Sequence, residues 1–543
     1  MTGAAPGFDR VEVRSGSYHD SVALMQVSRS VAGVEGVLAA QVAMATELNL
    51  DVLRGMGFEL PGGLGPADLL VAIRAVDDAA HHAAGLAVAA ALSPSGARGS
   101  GAGPGSGPAT GPAVAVAPPR TTGSAARAVG AGLALVSVPG EYAFVEAMDA
   151  LDAGLDVMIF SDNVPVEQEV RLKEEAARAG RLVMGPDCGT AVVGGVGLGF
   201  ANVVRPGPVG LVAASGTGAQ QLLSLLDAAG VGVRHCLGVG GRDLSSAVGG
   251  RSTRAALALL DADPDVELIV LVSKPPAPEV EQEVRVFVGT LATPVQLALL
   301  GPARPDLTAA ARTAAEAVGA TWRPLPWWPA PTATRGGHRS RLLAGFAGGT
   351  LCDEAMLIAA PSLGPVASNI PLAGAPRLTP DLEHTLDGAR PEHVMIDFGD
   401  DQLTRGRPHP MIDGSLRLAW LARQAALLDD GTGDAVNGSL DRAQGAVLLL
   451  DVVLGHAADP DPAAGLAPAI LAARAGVAAR GGELAVVVSL CGTQGDPQGL
   501  LRQAETLAAS GASVYLSNAE ATRAALALLA VAPAPPAPPE PPP

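Results

Sequence analysis

The sequence predicts an α/β protein with two doubly wound parallel-sheet domains and a small N-terminal α/β module. Three observations predict this class. From residue 132 onward, short and nearly continuous Val/Ile/Leu runs alternate with amphipathic stretches. That is the pattern of parallel strands buried on both faces between helices. Glycine-bearing turns recur at the C-terminal ends of those runs, where open α/β sheets hold their ligands. The composition supplies small aliphatic filling, because hydrophobic residues make up 48% of the chain and aromatics only 3%. At 543 residues the chain exceeds a single core and is read as several domains.

Residues 1–92 form the small module. VEVR at 11–14 is extended, 18–31 has a helical apolar period, 36–44 is a second strand and 66–91 reads as helical. Its most polar turn is SYHDSV at 17–22, where His19 and Asp20 either meet a ligand or begin the helix as a cap. Residues 93–123 contain mainly glycine, proline and small side chains, a composition that makes a flexible linker rather than a core. The region 124–323 carries strands at 133–138, 156–161, 181–185, 209–214, 267–273 and 293–301 and a strand and loop at 236–245, with helices between them. Residues 324–339 read as a second linker or an interdomain strap. A second α/β region covers 340–531, with a strand and long polar loop over 394–413, a buried strand at 446–453, strand, Gly-rich loop and helix over 483–511, and a last strand at 512–517. The proline-rich tail, 532–543, is extended or disordered. No fixed-period repeat relates the two halves.

Several function classes are excluded at this level. A net charge of −18 lacks the basic footprint that nucleic acid requires. Four cysteines, Cys188, Cys236, Cys352 and Cys491, are scattered without metal or disulfide spacing, which suits a reducing cytoplasm. The first residues lack the charged and apolar segments of a signal peptide. The longest apolar runs, such as AVLLLDVVLG at 446–455, are short and carry an Asp, so no membrane span is expected.

The richest stretch is PVGLVAASGTGAQQLLSLL at 208–226, which reads as strand, glycine-bearing turn, helix. That arrangement leaves free backbone N–H groups and a partial positive charge at a helix start, the makings of a phosphate site. Ser215, Gly216, Thr217 and Gly218 are the candidates; the alternative is an ordinary turn with a hydroxyl cap. FAGGTLCDEAML at 346–357 has the same grammar and adds Gly349 and Thr350.

Taken together, FSDNV (160–164), MGPDCGT (184–190), ASGTG (214–218), LGVGGRDLS (237–245), VSKPP (272–276), GGTL (348–351) and GRPHPMID (406–413) resemble the FdrA family of the succinyl-CoA synthetase superfamily. The resemblance covers nearly the whole chain. It implies CoA-ligase-like, Rossmann-like domains, with 131–301 similar to the synthetase α subunit and 345–528 similar to the ligase domain of the β subunit. It also implies that the two Gly-Thr turns face one another across a shared phosphate. The chain departs from the synthetases in three ways. The segment LLGPARPD at 299–306 is not followed by the phosphorylated histidine, the Gly-rich CoA loop is missing, and there is no ATP-grasp region.

Two activities follow from the resemblance. One is a subunit of an oxamate carbamoyltransferase, which interconverts oxalurate plus phosphate with oxamate plus carbamoyl phosphate in purine (allantoin) catabolism. The other is an acyl-CoA synthetase component, for which CoA and ATP would be cofactors. A non-catalytic scaffold is a third reading. Partner subunits are expected in each case, and no metal is assigned. The catalytic candidates are His409, Lys274 and Arg407: an imidazole for proton transfer, an ammonium for phosphate and a guanidinium fork for a carboxylate. Arg405, Arg242 and Asp187 are the substrate-binding candidates. Each has a plainer alternative, as a packed strap, a solvated strand end or a surface ion pair. Cys188 lacks a neighbouring base, and Asp400 with Asp401 either hold Mg²⁺ or form an exposed acidic loop.

Overall fold

The computed structural model describes residues 8–15, 19, 21–92, 119–331, 339–389, 391–405, 407–428 and 445–529. Most of the linker read at 93–123, the proline-rich tail and Asp20 lie outside the described residues.

The N-terminal module runs β1 (Phe8–Ser15), α1 (Ser21–Ala32), β2 (Val37–Met44), α2 (Glu47–Gly55), β3 (Asp68–Ala75) and α3 (Asp78–Leu92). Its antiparallel sheet has the order β1-β3-β2. Leu24, Val27 and Val31 of α1 with Ala84 and Val88 of α3 cover one face. Leu53 of α2 and Phe58 cover the other. The stretch 66–91, read as helical, is therefore corrected: its first half is β3, the central strand. DLLVAIRA is covered on both faces, so it lacks the alternation that marks a half-buried strand.

A three-stranded parallel sheet follows, from α4 (Thr122–Val129), β4 (Leu133–Val136), α5 (Gly140–Asp152), β5 (Asp156–Ile159), α6 (Val166–Ala179) and β6 (Val183–Met184). Next come β7 (Thr190–Val193), β8 (Val196–Gly199), β9 (Val209–Ala214), α7 (Gly216–Ala228), β10 (Val233–Gly238), α8 (Arg251–Asp261), β11 (Leu268–Ser273), α9 (Pro278–Val288), β12 (Val295–Leu299) and α10 (Leu307–Ala317). Their sheet has the order β12-β11-β9-β10-β7-β8, parallel except for the β7–β8 hairpin at one edge. The region 124–323 thus holds two sheets. The hairpin turns at Gly194–Gly195, a dipeptide that serves tight hairpins because both residues take positive φ.

The last region contains β13 (Trp327–Trp328), β14 (Arg339–Phe346), α11 (Gly349–Leu363), β15 (Val394–Asp397), α12 (Asp401–Thr404), α13 (Ser415–Leu427), β16 (Gly445–Val453), α14 (Pro462–Ala479), β17 (Leu484–Cys491), α15 (Leu500–Ala509), β18 (Ala512–Tyr515) and α16 (Asn518–Ala527). The sheet order is β13-β18-β17-β16-β14-β15. Part of the segment 324–339 is more than a linker. Trp327 stacks on Tyr515 at 5.6 Å, and β13 pairs with β18 as an antiparallel edge strand. The 18-residue α14 is long and apolar enough to cross a membrane, but it packs on β17, α13 and α15 through Leu466, Ile470, Ala473 and Val477.

The two large regions share one core. Leu222 and Leu226 of α7, Ala311 of α10, Leu351 and Met356 of α11 and Ala525 of α16 belong to a single cluster. Because α7 is buried on several sides, its polar residues find partners in the other region. Gln220 Nε2 donates to Leu454 O at 3.1 Å, and Gln221 Nε2 donates to Leu516 O at 3.1 Å. Asp496 accepts from Val203 N at 2.7 Å and from Asn202 Nδ2 at 2.8 Å. This docking fixes the start of α7 against the start of α11.

Candidate functional site

The N-termini of α7 and α11 meet. Ser215 Oγ lies 2.7 Å from Thr350 Oγ1, and it accepts the Gly218 N–H at 2.9 Å. A Cβ on Gly348 would come within 2.9 Å of the Thr217 side chain, and one on Gly218 would come 3.1 Å from Thr350 Cγ2. Glycine is required at both positions for the helices to approach this closely.

This packing sorts the six phosphate candidates. Gly216 is exposed, while Thr217 and Gly349 are half-buried. Ser215 and Thr350 are buried and bonded to each other, and Gly218 is buried with its N–H already taken by the cap. The assignment of Gly218 as a phosphate donor is therefore corrected. The open donors at these helix starts belong to Gly216, Thr217 and Gly349, whose N–H groups have no acceptor within the helix.

Behind α11 lies a group not singled out from the sequence. Asp451, fully buried in β16, accepts Ala347 N at 2.7 Å and Gly348 N at 2.9 Å. Arg417 donates to the same carboxylate at 2.7 Å. Burial raises the Asp451 carboxyl, and Arg417 with the two backbone donors opposes that rise. The Asp inside the apolar run 446–455 was the available signal, since a charge in such a strand needs a partner.

Lys274 reaches the cleft from the end of β11. Its Nζ lies 3.2 Å from Asp353 Oδ2 in α11. Burial pulls the ammonium down, but Asp353 and Asp397 outweigh it and hold Lys274 above the ordinary lysine value. A Cβ on Gly349 would meet Asp397 Oδ2 at 2.5 Å and Lys274 Nζ at 3.2 Å, so the three groups crowd the first turn of α11. Burial pushes the Asp397 carboxyl up to about 7, against the pull of Lys274 and the Gly399 N–H. Asp353 and the chemical weight of Asp397 were not assigned from the sequence.

His409 sits close by. A Cβ on Gly399 would lie 2.9 Å from His409 Nε2 and 3.1 Å from Asp397 Oδ1. The ring packs on Phe200 at 5.7 Å, and its Nδ1 accepts the Met411 N–H at 3.2 Å. That bond leaves the proton on Nε2. Burial pushes the imidazole down to about 4, so it stays neutral at physiological pH. The expectation of proton transfer by His409 near neutrality is corrected: it is a fixed neutral donor, and Asp397 is the nearby group that titrates near 7.

The remaining candidates divide. Asp187, at φ 57°, is exposed to solvent, with Asp401, Asp162 and Lys274 within electrostatic reach. Arg242 lies within electrostatic reach of it but is engaged by Glu169 at 3.0 Å and Val164 O at 2.8 Å. Asp243, the next residue, turns the other way: it pairs with buried Lys173 at 2.7 Å and caps α8 through Ser252 N and Thr253 N. Arg405 is exposed beside Asp401. Arg407 is exposed and faces the N-terminal module rather than the helix cleft, which corrects its placement among the catalytic groups. Burial drives the Cys188 thiol well above its ordinary range, as suits an inert cysteine.

The second helix start, with Asp353 and Asp397 beside it, lies in a CoA-ligase domain. Residues 346–528 match the family described as CoA-ligase, and residues 7–106 match "AllF, heavy metal-associated domain". The chain is 34% identical to YahF of Escherichia coli (strain K12) over 525 residues, covering 92% of this chain and 95% of that protein, and it belongs to that family. It is also similar to the succinate–CoA ligase [ADP-forming] subunit alpha 2 of Archaeoglobus fulgidus, at 29% identity over 28% of this chain. That match spans about half of the ligase subunit, 52%. Among solved structures, the dinucleotide-forming acetyl-coenzyme A synthetase 1 of Ca. Korarchaeum cryptofilum aligns over 73% of this chain and 82% of its own, at 17% identity and a TM-score of 0.26.

The N-terminal module does not fit a soft heavy metal. Its sequence contains no cysteine, since the first in the chain is Cys188, and thiolates are the ligands such ions select. No group of three His, Cys, Asp or Glu side chains suited to a metal ion occurs among the described residues.

Proposed function

We propose that this chain is one subunit of a phosphate-dependent transferase that moves a carbamoyl or acyl group between an amide nitrogen and phosphate. Oxalurate plus phosphate giving oxamate plus carbamoyl phosphate, in purine catabolism, is the reaction proposed. The observation that carries this reading is the 2.7 Å contact between Ser215 and Thr350, which joins two helix starts into one cradle. Their combined partial charges favour an oxyanion, and each donor aimed at such a site is typically worth about 2.7–4 kcal/mol in the transition state.

Phosphate would lie against Gly216, Thr217 and Gly349, with Lys274 offsetting its charge. A phosphate oxygen attacks the carbonyl carbon, and the C–N bond breaks. Asp397 takes the phosphate proton and delivers a proton to the leaving nitrogen, so the carboxyl ends as it began. Asp187, with Asp401 near it, suits the N–H groups of an amide or urea. A phosphohistidine relay finds little support. LLGPARPD at 299–306 has no histidine, and His409 has its Nδ1 lone pair engaged and its Nε2 protonated.

The second reading is a CoA-thioester ligase component, with CoA and ATP as cofactors. The CoA-ligase match over 346–528 favours it, as does the name of the Archaeoglobus relative, a ligase subunit. Partner subunits in a cytoplasmic complex are proposed in both cases. The test is co-expression with neighbouring genes and assay of the purified complex. Carbamoyl phosphate formed from oxalurate and phosphate supports the first reading. ATP- and CoA-dependent thioester formation without it replaces the first reading with the second.

A further inference from the structure

The arginine of GRPHPMID leads to a second site, away from the helix cleft. Arg407 lines a cavity of about 360 Å³. Val52 and Met56 of the N-terminal module form one wall, and Phe398 and Leu403 form the other. That volume lies at the lower end of small-molecule sites, roughly 300–1,000 Å³. An adjoining cavity of about 110 Å³ shares Pro410, Asp413 and Ser415 with the first and is lined by Arg29 and Arg417.

The charges in this groove are unevenly matched. Asp459 is held by Arg29 at 2.6 Å, and Asp413 accepts Ser415 N at 2.8 Å. Asp459 is thus paired with a cation, while Asp413 has only this backbone donor. Two guanidinium donors lack acceptors. The Arg407 guanidinium has no side-chain partner among the described residues, and Arg417 Nε is buried without an acceptor. Arg417 is 6% exposed, so its unmet donor is a costly feature unless a ligand or water meets it. Apolar walls with two unmatched guanidinium donors fit an organic anion.

We propose that this groove binds a small organic carboxylate, with the carboxylate on Arg407, the apolar body along Val52, Met56, Phe398 and Leu403, and a second acceptor toward Arg417 Nε. The module forms half of the site. This gives it a role independent of metal and of the transfer reaction. The groove connects to the cleft by two routes. Arg417 holds Asp451, which holds the N–H groups ahead of α11, and the chain from Phe398 to Met411 carries His409.

Calorimetry of the full chain with succinate and with benzoate as probes tests the site. The expected result is that at least one of them binds, that Arg407→Met and Met56→Glu each weaken it at least tenfold, and that Thr217→Val leaves it unchanged. Failure of both probes to bind the unmodified chain overturns the proposal. So does binding that survives both groove substitutions, or binding abolished by Thr217→Val, which would put the carboxylate in the helix cleft. Circular dichroism of each variant separates lost binding from lost folding.

Discussion

The helix starts at Ser215 and Gly348 have the same sequence grammar, strand then Gly-Thr turn then helix, yet their donors are satisfied differently. At α7 the cap is local: the Ser215 hydroxyl accepts the Gly218 N–H. At α11 the residue before the helix is glycine, and a carboxylate from another strand, Asp451, takes the N–H groups of Ala347 and Gly348. One start is capped by a neutral hydroxyl. The other already carries a buried anion with its own arginine. The lesson is that motif likeness does not imply equal electrostatics. The net positive end available to a ligand is stronger at α7, and Lys274 supplies at α11 what Asp451 offsets.

The largest effect that can break this comparison is at Arg417. Arg417→Met leaves Asp451 as an unpaired buried charge, and the expected loss is about 3–5 kcal/mol. Ser215→Ala, the matching change at α7, removes a hydroxyl that caps the helix and bonds Thr350, and is expected to cost about 1–2 kcal/mol. Denaturant midpoints of the two variants measure the difference. Equal losses would mean that the two caps are equivalent after all.

Next in size is the pH dependence set by Asp397. The folded protein keeps this proton to about pH 7, whereas the unfolded chain releases it near 3.8. The folded state therefore binds more protons in that window. The contribution is full below about pH 3.8 and is lost as pH rises through about 7. Asp397→Asn removes the slope, so the variant should exceed the parent protein at pH 8 by roughly 2–4 kcal/mol and match it near pH 4. Urea titrations at the two values check the sign. If Asp397 also moves the proton, the same variant loses transfer activity at every pH while still binding phosphate.

The glycines sharpen the comparison further. Gly348→Ala sets a methyl within 2.9 Å of three atoms of Thr217, which should cost about 1–3 kcal/mol by forcing the helices apart. At Gly216 the nearest atom to an added Cβ is Thr190 Oγ1, 3.9 Å away, so Gly216→Ala should be neutral or slightly stabilising. Thermal midpoints of the pair decide whether the tight approach is confined to the α11 side.

How much of this could be read in the chain varies by residue. The parallel strands from Leu133 onward were legible because both-face burial makes them apolar runs. The same property hid β3, whose DLLVAIRA reads equally as helix. The meeting of the two Gly-Thr turns was legible only through family resemblance, because contact order across 135 residues leaves no local trace. Asp451 and Asp353 were missed for a related reason. Their partners, Arg417 and Lys274, lie tens of residues away, and only the tertiary fold sets the carboxylates beside them. His409 was singled out as an imidazole within GRPHPMID, but its environment, which decides its protonation, includes Phe200 in the other region.

The smallest change in stability carries the sharpest functional contrast. Thr217 is half-buried at the open edge of α7, and its side chain meets the Gly348 turn rather than holding a buried hydrogen bond. Thr217→Val keeps the shape and removes one hydroxyl, so stability should shift by less than about 0.5 kcal/mol. If the Thr217 hydroxyl joins the open N–H groups of α7 in holding phosphate, the variant should raise the phosphate KM at least tenfold while Asp397→Asn lowers kcat with that KM unchanged. The split matters because a binding donor and a proton carrier act at different stages, and it is read from initial rates across phosphate concentrations. Should Thr217→Val leave the phosphate dependence intact, the hydroxyl takes no part, and the anion rests on the backbone N–H groups of the two helix starts and on Lys274. The functional difference between the two starts would then lie in Lys274 rather than in Thr217.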